Sequence, residues 1–331
     1  MPHTSDTQAN TAREAWNILE RNRIGQWGPH GIGLVVQGGG MRGVYSMAAL
    51  AALEEMGFGQ CFDHVAGSSA GALNGAYFIT GQANYGVETY IHHLTKRSFV
   101  NPLRVNKMVD IDYLVDDIGK RTRPLQLDKL LAARTLLHIS LTGFADGQTR
   151  YVTTRTPDID LWEAFRASAA MPILYNKSVK VGNGLYVDGS LRARVPIRRV
   201  LEHGCRYVVV ILTMPHAHRI ASKNAWIQSL SWPATRHYSA GLRQALFGED
   251  VDYNVTKSDL SRENPRISGC ANGVVVITPQ RRPERFSTIT TDSKHLMQCA
   301  LEAREDTWRA FGQTPPQIDN PFAMSSWSQK S

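Results

Sequence analysis

The sequence predicts an α/β fold of three layers, with helices on both faces of a mostly parallel central sheet. Three observations predict it. Gly33–Gly57 (GLVVQGGGMRGVYSMAALAALEEMG) runs from a short β-prone strand through a glycine loop into a helix. The next segment repeats that order, with a strand at His64–Ala66, a small-residue turn and a helix over Ala70–Tyr77. Further on, YVVVIL (Tyr207–Leu212) and NGVVVITP (Asn272–Pro279) carry the apolar runs that strands covered on both faces require. Alternation of strand and helix is the pattern of a parallel sheet.

The elements follow in order. Met1 to about Ala12 reads as disordered and Arg13–Arg21 as a surface helix, so residues 1–30 form an N-terminal extension. Leu34–Val36 is the first strand; in the helix after it, Val44, Met47, Ala48, Ala51 and Ala52 share one stripe, and Gly57 suits the C′ position. Tyr85–Arg134 is helix-rich and polar, suited to a cap or wall beside a pocket. Leu136–Leu141 and Tyr151–Thr154 read as strands, Leu161–Ala169 as a helix, and Leu185–Val187 as a strand ended by the turn Asp188-Gly189. Residues 31–215 thus hold the motif-bearing core. Residues 216–312 add to the same domain a helical section whose Trp226 and Trp232 read as core ahead of a lipid-facing surface, the last strand and a closing helix over Ser293–Phe311. Residues 313–331 are rich in Pro, Ser and Gln and read as a flexible tail.

Gly38-Gly39-Gly40-Met41-Arg42-Gly43 satisfies G-x-G-x-x-G, which between strand and helix points backbone N–H groups at an anion. A dinucleotide site also needs an acid at the carboxyl end of the second strand, to hold a ribose hydroxyl. The nearby acid, Asp63, lies at the wrong end, and the correct end reads GSSAG. Gly67-Ser68-Ser69-Ala70-Gly71 matches G-x-S-x-G, the sharp strand-to-helix turn that exposes a nucleophilic serine, here Ser69. Gly67 and Gly71 flank it because a Cβ there would strike the neighbouring strand or helix. Ester cleavage through serine needs N–H donors for the oxyanion of the tetrahedral intermediate. Both motifs lie at carboxyl ends of consecutive strands, so the glycine loop suits an oxyanion better than a pyrophosphate.

A serine also needs a base. The later histidines, including His138, His203, His216, His237 and His295, fall in polar or helical stretches that read as surface or structural positions. Asp188 stands at a strand end before Gly189, which suits a base and equally a plain turn former.

At these residues the chain resembles the patatin-like phospholipases, with G-G-G-x-[RK]-G at Gly38–Gly43, G-x-S-x-G at Gly67–Gly71, and D-G at Asp188-Gly189. RASAAMPILY (Arg166–Tyr175) also resembles that family's segment ahead of the aspartate strand, while Ser190 departs from its usual Gly or Ala. The resemblance implies a patatin-like three-layer fold and a Ser69–Asp188 dyad, with Gly38, Gly39, Gly40, Met41, Arg42 and Gly43 forming the oxyanion hole. Gly67, Gly71 and Gly189 then support the elbow and the turn. It implies hydrolysis of phospholipid or lysophospholipid acyl esters through an acyl-enzyme, with no metal and no cofactor. Two rivals are a general carboxylesterase or thioesterase with a Ser-Asp-His triad and a catalytically silent lipid-binding protein.

With 331 residues, 42% of them hydrophobic, the chain can bury a substantial core. A formal charge of +8 and a pI near 9.4 favour anionic partners. Zinc-ligand spacing, RNA-binding signatures and a helix-turn-helix are missing, so nucleic acid is not expected and contact with an anionic membrane is. Cys61, Cys205, Cys270 and Cys299 are scattered and read as thiols, not bridges. The N-terminus lacks an apolar signal core and no run reaches about 18 apolar residues, so the expectation is a cytoplasmic protein, peripheral at the membrane.

Overall fold

The structure is a computed structural model that describes residues 4–29, 31–104, 107–215, 218–224, 229, 232, 235–262, 265, 267, 273–280, 287–319 and 321–322. His216, Trp226, Cys270 and most of the tail lie outside the described residues. The strands are β1 (Gly31–Val36), β2 (His64–Gly67), β3 (Leu136–Gly143), β4 (Thr149–Thr153), β5 (Val179–Val181), β6 (Gly184–Asp188), β7 (Cys205–Ile211) and β8 (Gly273–Ile277). They form one sheet in the order β5-β6-β3-β2-β1-β7-β8, with β4 also paired to β3. The five strands β3-β2-β1-β7-β8 are parallel, and β4, β5 and β6 extend the β3 edge antiparallel.

The helices are α1 (Thr4–Arg23), α2 (Gly43–Glu55), α3 (Ala70–Ile79), α4 (Ala83–His92), α5 (Leu127–Ala132), α6 (Leu161–Ala169) and α7 (Ile197–Glu202), then Ala240–Phe247, Val251–Leu260 and Ser293–Ala310. Tyr113–Thr122 winds as a π-helix. Alternation within β1 assigns the two faces. Ile32, Leu34 and Val36 pack into the larger core with α2, α3, α4 and the closing helix, while Val35 joins Val200 of α7 and Leu260 in the smaller one. Gly33 lets α7 lie close, since a Cβ there would stand 2.8 Å from Val200 Cβ.

Three expectations change. The N-terminal helix begins at Thr4, not Arg13: Ala15 and Leu19 are buried against the sheet and Thr11 packs on Gly273, while Arg13, Glu14, Asn17 and Arg21 stay exposed. Docking of one apolar stripe carries the preceding turns with it, since helix growth is cooperative. Helix α2 has no exposed side over Gly43–Leu53: α4 and the closing helix cover what one apolar stripe would leave to solvent. Trp232 is exposed and stacks on Arg243 instead of joining a core.

Register sets up the site. Strand β2 ends at Gly67, level with Ile139, but β3 continues to Gly143. Returning antiparallel on that overhang, β6 pairs Thr142 with Val187 and Leu141 with Asp188. Asp188 therefore ends two residues beyond the level of Gly67, where the chain after β2 turns into α3.

One ion pair anchors the closing helix. Arg304 donates to Glu55 at the end of α2 through Nε (2.7 Å) and Nη2 (2.5 Å), and both side chains are almost fully buried. Arg304→Met strands a buried carboxylate and is expected to cost about 3–5 kcal/mol in urea unfolding. Adding Glu55→Leu should recover most of that loss; a single variant as stable as wild type would contradict this role.

Candidate active site

Ser69 is the N-cap of α3 and sits at φ 55°, ψ −132°, a left-handed conformation that side chains rarely adopt. Such a turn costs about 1–3 kcal/mol and persists only where its surroundings enforce it. They do so closely. A Cβ on Gly67 would lie 2.5 Å from Gly71 O, and one on Gly71 would lie 2.2 Å from Val36 O. Both flanking glycines are thus demanded by contact of the elbow with itself and with β1. The Ser69 amide donates to Ser168 Oγ (3.0 Å), whose hydroxyl donates to Ser140 O (2.8 Å), pinning the elbow to α6 and β3. Ser68 points the other way, fully buried and bonded to Ser140 Oγ and Ala193 O.

Ser69 Oγ donates to Asp188 Oδ2 at 2.8 Å. Asp188 Oδ1 accepts from the Ser190 amide at 2.8 Å, and Thr142 Oγ1 donates to the Asp188 carbonyl at 2.9 Å. Gly189 is required by space: a Cβ would stand 2.1 Å from Ser140 O. Ser190, the departure from the family pattern, fits the turn and hydrogen-bonds the carboxylate. Burial pushes the Asp188 carboxyl up to about 6, although bonds from Ser190 and Ser69 and the charge of Arg194 pull it down.

The six-residue glycine loop divides in two. Among the described residues, the amides of Gly38, Gly39 and Gly40 have no acceptor within the protein. Gly39 and Gly40 adopt φ 143° and 59°, which frees these groups from any helical ladder. Met41, Arg42 and Gly43 differ: Met41 N donates to Thr288 O at 2.9 Å, Arg42 N to Gly39 O at 3.2 Å, and Gly43 N to Gly40 O and Met41 O. Their amides are spent, so the predicted set of anion donors narrows to Gly38–Gly40. Gly43 instead leaves room for Tyr90, whose hydroxyl would lie 2.3 Å from a Cβ there. Tyr90 donates to Asn74 Oδ1 (3.1 Å), and Asn74 in turn donates to Gly43 O (2.9 Å), bracing the turn from below. Gly38 crosses the elbow so closely that its Cβ would reach 2.2 Å from Ser68 O and 3.0 Å from Ser69 Cβ. Thr213, after β7, holds this crossing by donating to Gly38 O at 2.6 Å. The Ala70 amide, first in α3, is also uncommitted and beside Gly38, a donor the sequence reading missed.

Ser69 and Asp188 open on a cavity of about 410 Å³. Its walls are mostly apolar, with Met47, Leu73, Phe99, Ile111 and Ile118 among them, while Arg42, Arg194 and Lys223 supply positive charge. The helix-rich stretch read as a cap or wall therefore contributes wall, through α4 and the π-helix, with apolar side chains where a polar stretch was expected. No histidine among the described residues lines the cavity.

Three histidines do meet elsewhere, at the start of the strands. One nitrogen each of His64, His138 and His203 lies within 4.8 Å of the others, a spacing that suits a transition metal. Arg199 Nε, however, donates to His138 Nδ1 (3.1 Å), which leaves the His138 proton on Nε2, facing His64 Nδ1 at 3.1 Å. A guanidinium on that ring opposes a second cation. Burial and Arg199 together hold His138 down at about 3, so that ring is neutral, and burial lowers His64 and His203 as well.

The site thus joins a strained serine, at a strand-to-helix elbow after β2, to a buried carboxylate at the end of β6, on the far side of β3. The chain belongs to the patatin-like phospholipase family, whose sequence profile matches residues 34–201, just over half of it. It is also similar to YjjU, an uncharacterized protein of Escherichia coli (strain K12), with 31% identity over 194 residues. That match covers 56% of this chain and 53% of YjjU, so the chain spans about half the length of the curated relative it matches. Among solved structures, VipD from Legionella pneumophila has a TM-score of 0.41 at 14% identity, covering 86% of this chain and 67% of VipD. The type III effector protein ExoU has a TM-score of 0.36 at 15% identity, covering 86% of this chain and 53% of its own. Family membership rests on the profile match.

The raised carboxyl has a consequence for stability. Its folded pKa of about 6 exceeds the unfolded value of about 3.9, so the fold favours the protonated form. That contribution is complete below about pH 3.9 and is lost as pH rises through 6. Asp188→Asn keeps the shape without the ionisation, and should raise Tm at pH 8 while gaining less at pH 4. Equal changes at both values would show that Asp188 titrates normally.

Proposed function

We propose that the chain is a serine acyl hydrolase that cleaves fatty acyl esters of phospholipids or lysophospholipids, with Ser69 as nucleophile and Asp188 as base. The observation that carries this is the 2.8 Å bond from Ser69 Oγ to Asp188 Oδ2 on the wall of an apolar cavity large enough for an acyl chain. Ser69 Oγ attacks the ester carbonyl as its proton passes to Asp188 Oδ2. The oxyanion faces the free amides of Gly38–Gly40, where each donor is worth about 3 kcal/mol. Collapse expels the alcohol, protonated by Asp188, and leaves an acyl-Ser69. Water, deprotonated by the same carboxylate, then releases the fatty acid. A carboxylate near pKa 6 is a stronger base than a solvated one, yet still ionised at neutral pH.

Acyl chains fit the apolar walls, and the cations Arg42, Arg194 and Lys223 suit the phosphate of a head group. The substrate would be met at an anionic membrane surface; among the described residues no helix is long and apolar enough to cross one. The triad rival would need a histidine at the carboxylate, and the described histidines stand elsewhere. The silent-binder rival predicts binding without turnover.

A serine-directed fluorophosphonate should label the protein once, at Ser69, and Ser69→Ala should abolish both labelling and ester turnover. Ser68→Ala should remain labelled, because Ser68 faces away. Labelling at another serine, or turnover surviving Ser69→Ala, would refute the assignment.

A further inference from the structure

Asn101–Arg104 is a β-turn, closed by Arg104 N donating to Asn101 O (3.1 Å) and Leu103 N to Asn101 Oδ1 (3.0 Å). Pro102 presets its first corner. The turn is held unusually firmly. Arg104 Nη2 donates to the carbonyls of Arg97, Ser98 and Phe99 (3.1, 3.0 and 3.0 Å), and its Nη1 to Asp110 Oδ2 (2.8 Å). This clamp presents Leu103 at 85% exposure, the most exposed large apolar side chain among the described residues. Rigid display of a leucine to water serves no packing purpose.

The turn adjoins the cavity. Phe99 and Val109, which flank it, are cavity wall, and Val109 N donates to Leu174 O (3.0 Å), also cavity wall. Beside Leu174, Ile173 is held at φ 76°, a rare strain for a β-branched residue, and is 36% exposed. Two exposed apolar side chains thus stand on two joined segments of one cavity wall. The two segments carry more cations than acids: Lys96, Arg97 and Lys177 are exposed, Asp110 is paired with Arg104 and Lys107 (both 2.8 Å), and Asp112 with Lys107 and Lys177 (2.7 and 3.6 Å).

We infer that this turn is an interfacial anchor: Leu103 enters an anionic lipid bilayer, the surrounding lysines and arginines meet the head groups, and the cavity is held against the lipid it empties. The inference rests on the lipid hydrolase reading. An exposed apolar side chain on a segment with an excess of cations is the pattern that binds anionic interfaces, where burial and charge add.

The test uses the full chain with vesicles of phosphatidylcholine and phosphatidylserine at about 4:1, beside a water-soluble short-chain ester. Leu103→Asp should lower co-sedimentation with these vesicles roughly tenfold or more, yet leave soluble-ester turnover within about twofold of wild type. The emission that Leu103→Trp adds over wild type should shift to the blue when the vesicles are added, and shift less with phosphatidylcholine alone. Partition unchanged by Leu103→Asp, or an added emission that stays at its solvent value in Leu103→Trp, would overturn the anchor. Absence of soluble-ester turnover in wild type would instead overturn the hydrolase reading, whichever way the vesicles behave.

Discussion

The hydrogen bond between Ser69 and Asp188 is the contact on which the rest of this molecule converges. It joins residues 119 positions apart and needs two unrelated features to be correct to within a fraction of an ångström. The first is the overhang of β3 beyond β2, which lets β6 return antiparallel and end at the height of the elbow. The second is the elbow, where a left-handed serine is trapped between two glycines that tolerate no Cβ. Neither feature favours folding on its own. Strain at Ser69 and burial of an ionisable carboxyl each cost roughly 1–3 kcal/mol, and the large core between α2 and the sheet offsets them.

The parallel half of the fold is readable in the sequence because its signals are local. Leu161–Ala169 matches the observed helix, and His64–Ala66 and Tyr207–Leu212 fall within a residue or two of β2 and β7. The antiparallel half is less so. The three-residue β5 is too short to show a period, as is the six-residue α7 on the parallel side, and the π-helix at Tyr113–Thr122 has a spacing that helical templates do not test. Leu185–Val187 is legible as a strand, but its direction and its pairing to β3 depend on contacts more than 40 residues away.

The candidate site divides along the same line. Ser69 and its glycines announce themselves through spacing, because sterics there restrict residue type. Asp188 carries equal weight as a turn former, and only its position relative to Ser69 separates the two roles. Within the glycine loop, no sequence rule says that Met41, Arg42 and Gly43 spend their amides on carbonyls while Gly38, Gly39 and Gly40 keep theirs. That distinction arises from Thr288, some 247 residues beyond Met41, and from the positive φ at both Gly39 and Gly40. Ser168, Ser140 and Thr213, which hold the elbow and loop in place, are ordinary serines and threonines in the sequence and gain meaning only from what they touch.

The central claim is that a buried carboxylate, with no histidine, serves as the base. The most direct test is kcat/KM for a soluble short-chain ester measured from about pH 4 to 9, which reports the ionisation of the free enzyme. The account predicts one rise that levels off above an inflection near 6, carried by Asp188 and unchanged when His138, His203, His237 or His295 is replaced by Gln. Asp188→Asn should lower the plateau by several orders of magnitude and remove the inflection. A rise that survives Asp188→Asn, or one that disappears when a single histidine is replaced, would contradict it.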